Sequence, residues 1–320
     1  MSSSAYREIG KGQCGSVWAA DVPGEACALK RQHAGGDGEH SRSVIKDSVM
    51  PQRTERSFNE CRTSLELTNL NIPRYHQLVL KEDAQWWATR RGRFPSDLEA
   101  CNTLISERIP PFEGPVRMKI IELFCPDKIK DVVINSRKDE DCMVRPYLGR
   151  RARDSRPSPF FTLRNKALTI DQMENLKLPA VDYACAMADA LAFMFWEAKV
   201  DANDVEFVLA PKGAHVSSGT WNSEALGEHT LWLLDFDCVK DISMDSSGIA
   251  QAASAFFRND PYFPRPCGET ELDLSLWTAF TQRFLRSSER ILGDDVLPLL
   301  MIGALEEIGR DRKRKARTLA

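Results

Sequence analysis

The chain has no C-x-x-C pair and no H-x₃₋₅-H pair, although its 320 residues include 9 cysteines and 5 histidines. A structural zinc finger closes a tetrahedral site with ligands at short spacing, so no zinc site of that kind is expected. The scattered cysteines read instead as reduced, mostly buried thiols. No stretch of apolar residues is long enough to cross a bilayer, so no membrane partner is expected. The opening MSSSAYREIG lacks an apolar signal core, which favours a cytoplasmic or nuclear location. Formal net charge is only −3, which argues against a generally basic nucleic-acid binder.

The length suits one large domain or two lobes, each with its own core. Strand-like runs fill the first third: YREI, SVWAA, ACALK, HQLVL and TLISERI. RQHAGGDGEHSRS reads as a Gly- and charge-rich loop. It is followed by a helix expected over 54–67, with Phe58, Cys61 and Leu65 on one face and Thr54 as its cap. After ERIPPFEGP the texture turns helical. The strongest helix is expected over 181–198, where Tyr183, Met187, Leu191, Met194 and Ala198 form an apolar stripe that reads as core. Two strands follow, VEFVLA and HTLWLLDF, and then helices near 246–257, 270–292 and 295–309. Six basic residues lie in 310–317, as a nuclear-import signal, an anion patch or a frayed tail.

Gly10, Gly12, Gly15 and Val17 fit G-x-G-x-x-G-x-V. A Rossmann unit needs a helix directly after the glycines and an acidic residue about 20 positions on. SVWAA reads as a strand, and the residue at that distance from Gly10 is Lys30, in A-L-K. The glycines therefore suit a hairpin that closes over nucleotide phosphates, with a third-strand lysine to neutralise them. Glu60 is the first candidate to hold that lysine and Glu66 the second. Further on, K-V-D-A-N-D-V-E precedes FVLA, and Asp235-Phe236-Asp237 ends the next apolar run.

In that order the elements resemble a protein kinase-like fold over about 1–109 and 181–240. More closely, SERIPP, RPYLGRR, YACAMADALAF, DANDVEFVLA, LLDFD and FFRNDPYFPRP resemble a fungal family of unknown function often labelled "zinc finger protein". The resemblance implies an α+β, two-lobed protein. Residues 1–109 would form a small antiparallel β lobe with one helix, 110–309 a mainly helical lobe, and 310–320 a basic tail. It implies ATP and Mg²⁺, and phosphoryl transfer to a small-molecule or protein acceptor. Lys30 would contact phosphates, Glu60 would orient it, and Asp201 would accept the acceptor's proton. Glu206 and Asp235 would bind Mg²⁺, and Glu107 and Ile109 would meet adenine, with Tyr147–Gly149 as a competing hinge. Departures from the kinase pattern are Lys199-Val200 in place of His-Arg, Glu206 in place of asparagine and Asp237 in place of glycine. They leave open an inactive pseudokinase or interaction module, or a nuclear regulator.

Overall fold

Short runs of β-branched and aromatic residues broken by turn-formers become strands, and longer apolar stripes become helices. The computed structural model describes residues 5–12, 15–22, 25–33, 44–152, 161–213, 219–259 and 261–319. Its strands are β1 (Tyr6–Lys11), β2 (Gly15–Ala20), β3 (Cys27–Gln32), β4 (Leu70–Asn71), β5 (Tyr75–Val79), β6 (Thr103–Glu107), β7 (Val144–Tyr147), β8 (Lys166–Thr169), β9 (Glu206–Ala210), β10 (Trp221–Ser223) and β11 (Gly227–Leu234). Its helices are α1 (Val44–Cys61), α2 (Ala84–Arg90), α3 (Gly114–Phe124), α4 (Lys130–Ile134), α5 (Ile170–Asn175), α6 (Ala180–Ala192), α7 (Ser246–Arg258), α8 (Glu271–Leu292) and α9 (Leu297–Leu319). The architecture is mixed α and β, with one antiparallel sheet in the first third.

That first sheet runs β1-β2-β3-β6-β5. Its register puts Gly10 beside Val17, Val17 beside Lys30 and Lys30 beside Leu104, so these residues share one face. Trp18, Leu29 and Ile105 occupy the opposite face and pack with Tyr6, Trp86, Trp87 and Phe94. α2 supplies the two tryptophans, its first turn capped by Asp83 accepting from Trp86 N at 3.0 Å.

The second sheet runs β10-β11-β9-β7-β8, with β4 added parallel to β11. It rests on the larger core, which takes in Met187 of the α6 stripe and Phe193 just beyond that helix together with Phe207, Phe256 and Phe280. The expected 181–198 helix is present as α6, continued by a wider π-type turn over Phe193–Glu197.

Arginines bind the first sheet to the chain ahead of β7. Arg7 and Arg108 both pair with Asp21 and with Asp141, whose side chain is 4% exposed; Arg108 Nη2 lies 2.9 Å from Asp141 Oδ1.

Two helix boundaries differ from expectation. α1 starts ten residues earlier than Thr54 and runs through Pro51. Val44, fully buried, anchors the added turns, and Thr54 is a buried mid-helix residue rather than a cap. At the other end, α9 carries helix through the basic tail to Leu319, so residues 310–319 are not frayed.

Candidate functional site

Lys30 leaves the open face of β3 and meets the chain after β11. Its Nζ donates to Asp235 Oδ1 at 2.9 Å and to Asp237 Oδ2 at 3.1 Å. Asp235 has φ +64°, a left-handed conformation that aspartate tolerates better than most residues. Its carboxyl is pushed above the ordinary carboxylate range by burial, against the lowering effect of Lys30 and with Asp237 and Asp204 adding negative charge. Asp204 completes the cluster: single ligand atoms of Asp204, Asp237 and Cys238 all lie within 4.8 Å of one another.

The loop ahead of β9 sets Asp204 in place at a cost in backbone strain. Lys199, Ala202 and Asp204 have φ of 55°, 53° and 62°. Such residues cost about 1–2 kcal/mol each and persist only where their surroundings hold them. Here the loop pairs with the segment after Asp237, through Asp201 N to Lys240 O at 2.9 Å and Ile242 N to Lys199 O at 3.0 Å. Asn259, at the end of α7, grips both strained positions. Its Oδ1 accepts from Asp204 N at 2.6 Å, and its Nδ2 donates to Ala202 O at 2.8 Å.

Asp201 lies beneath this loop, only 1% exposed. Its Oδ1 accepts from Asn203 N at 3.1 Å and Lys240 N at 3.0 Å, and its Oδ2 accepts from Gln251 Nε2 at 3.0 Å. The base position expected for Asp201 is thus not open to an acceptor; Asp201 braces the loop, and Asp204, three residues on, is exposed. Glu60 does not reach Lys30 either. It lies on the solvent side of α1, paired with Arg56 at 2.9 Å, because its place in the helix turns it away from the sheet. Glu66, past the helix end, pairs with Arg290 at 2.8 Å. Glu206 is on β9, where its carboxylate pairs with Arg145 of β7.

Of the three motif glycines, Gly15 alone is demanded by packing. A Cβ there would sit 1.9 Å from Arg31 O, whereas Gly12 has nothing within 4 Å and Gly10 only ordinary contact with Val17. Gly12 N donates to Gly15 O at 2.9 Å and closes the hairpin; Gln13 and Cys14 fall outside the described residues. Glu107 is buried at the end of β6, its backbone bonded to Arg74 O at 2.8 Å and its Oε2 accepting from Arg74 N at 3.2 Å. Ile109 and Met143 pack with Val208, Ala210, Trp232 and Leu234 on one face of the second sheet. In the competing hinge candidate Tyr147–Gly149, Leu148 N donates to Tyr262 O and Gly149 N to Pro261 O.

Asp204 and Asn259 were not legible as site residues, and Asp237 stood out only as a replaced glycine. The repeated aspartate in D-A-N-D was a signal of sorts, but which of the two faces out depends on three left-handed residues that no periodicity reveals.

A family model described as "Zinc finger protein" matches residues 231–296, about a fifth of the chain. No curated protein matches the chain. The matched segment holds two cysteines, Cys238 and Cys267, and no histidine. That is too few ligands for a Cys/His zinc finger of its own. The similarity to that family is therefore carried by the stretch with LLDFD and FFRNDPYFPRP, where Asp235, Asp237 and Asn259 stand.

Proposed function

We propose that the chain is a two-lobed, kinase-like protein that carries out ATP- and Mg²⁺-dependent phosphoryl transfer to a small-molecule or protein acceptor. The observation that carries this reading is the convergence of Lys30 with Asp235 and Asp237 beside Asp204. A glycine hairpin stands over the same sheet face. Oxygen donors from Asp235 and Asp237 suit a hard divalent cation. Mg²⁺ held there would neutralise charge developing on the transferred group. Lys30 would release part of its hold on the carboxylates to bind a phosphate oxygen. Asp204, at the exposed end of the braced loop, would accept the proton of the attacking hydroxyl. Asp201, Gln251 and Asn259 would act through the backbone by fixing Asp204.

The test compares two substitutions by ATP turnover with a panel of hydroxyl acceptors. Asp204→Asn should abolish transfer while leaving the fold intact. Asp201→Asn should destabilise the loop while reducing transfer only in part. Equal turnover in wild type and Asp204→Asn would refute the assignment.

A pseudokinase or interaction module is the second reading, and one observation favours it. Val208 and Trp232 are fully buried under Ile109, Met143 and Leu234, so the strand face where a nucleotide base would need room is filled by side chains.

A further inference from the structure

The backbone donors that would meet the edge of a nucleobase are already committed. At the first candidate hinge, Glu107 N donates to Arg74 O and Arg108 N to Ala26 O, both at 2.8 Å. At the second, Leu148 N donates to Tyr262 O at 3.0 Å and Gly149 N to Pro261 O at 2.8 Å. A base read on its edge would have to break such bonds, and the loss offsets what it would gain.

The strand face beside the acids is closed as well. Pairing of β9 with β11 sets Trp232 opposite Val208 and Leu234 opposite Glu206, so Val208, Trp232 and Leu234 share one side of the second sheet. Asp235 follows Leu234 directly. A base that reached toward Ile109 from phosphates held at Lys30 and Asp235 would lie along this strip. Ile109 and Met143 already pack on it. Side chains in contact are about 4 Å apart, whereas a planar base stacked between two layers needs about 7 Å between them. The Trp232 ring is fully buried and pinned by its Nε1, which donates to Pro211 O at 3.1 Å.

The phosphate end differs. The side chains of Lys30 and Asp235 are both partly open to solvent, and the space over Gly12 is clear to 4 Å. A lysine, a divalent cation and a glycine hairpin recognise phosphate oxygens whatever else the phosphates carry.

We propose that the Lys30 site binds a Mg²⁺-bound triphosphate chain through its phosphates alone and leaves a base, where one is attached, outside. Any nucleoside triphosphate and inorganic triphosphate are then equivalent ligands. The inference rests on the reading of Lys30, Asp235 and Asp237 as a phosphate and Mg²⁺ site.

Thermal unfolding of the full chain tests it, with ATP, CTP or inorganic triphosphate at millimolar concentration and matched free Mg²⁺. A rise of about 3 °C is expected, equal for the three ligands and absent in Lys30→Ala. The double substitution Ile109→Ala, Met143→Ala clears the layer that lies on the strip, and in it ATP should gain about tenfold in affinity over inorganic triphosphate. A wild-type rise with ATP that CTP or inorganic triphosphate fails to match would overturn the inference and leave the phosphate site standing. An unchanged ranking in the double variant would overturn the filled strip as the cause. No rise with any of the three ligands would overturn the phosphate site itself, and the inference with it.

Discussion

Lys30 stands on a regular strand, whereas the carboxylates of its cluster stand on loops, with Asp204 and Asp235 in left-handed backbone. The first sheet positions its lysine by register alone, backed by a compact cluster that includes Tyr6, Trp18, Trp87 and Phe94 and tied at its rim by arginines. The second sheet hangs its acids from a far larger apolar core, and that core is what can bear the strain at Lys199, Ala202, Asp204 and Asp235. The comparison teaches where each part is vulnerable. The acid side depends on packing and on buried polar braces, and the lysine side on charge.

The largest effect should come from the core beneath the acids. Phe207→Ala removes a fully buried ring that packs against Tyr262 and Phe263, and urea unfolding should register a loss of about 4 kcal/mol. Next is the charged rim of the first sheet. Asp141→Ala leaves Arg7 and Arg108 half-buried with one carboxylate fewer, and should cost about 3 kcal/mol by the same measurement. If Asp141→Ala proved as mild as an exposed substitution, the contrast between the two sides would fail.

The smallest effect is a pH dependence on the acid side. His229 is fully buried on β11, its Nδ1 2.7 Å from Gly227 O and its Nε2 2.5 Å from the Tyr183 hydroxyl. Burial lowers its pKa, partly opposed by the bond to Gly227. The folded imidazole stays neutral while the unfolded one takes up a proton near its ordinary value of about 6.5. Stability is therefore complete above that value and should fall as pH drops below it, down to the lowered folded pKa. Melting curves between pH 7.5 and 5, compared with those of His229→Gln, should show a steeper decline in the wild type.

Much of this organisation was legible in the sequence where local pattern and tertiary role agree. The stripe of Tyr183, Met187 and Leu191 became α6, the run at 270–292 became α8, and Lys30 stands on the third strand after a glycine hairpin. What could not be read depends on partners distant in sequence. Glu206 is committed to Arg145, 61 residues away. Asp201 is buried and Asp204 is the exposed carboxylate because Lys240, Gln251 and Asn259 clamp the loop that carries them. Thr54 suggested a cap, and with it a helix start, that the burial of Val44 overrides. For the basic tail no helix was expected beyond 309, because charge, not apolar spacing, dominates it, yet α9 continues through it, with Lys313 bonded to Cys267 O at 3.0 Å.

The most direct test of the central claim is thermal unfolding with ATP, with and without Mg²⁺, for the wild type and Lys30→Ala. A ligand that binds the folded chain must raise its melting temperature. A rise that requires Mg²⁺ and is absent in Lys30→Ala is the predicted result. No rise at millimolar ATP with Mg²⁺ would contradict a nucleotide site at the Lys30 cluster.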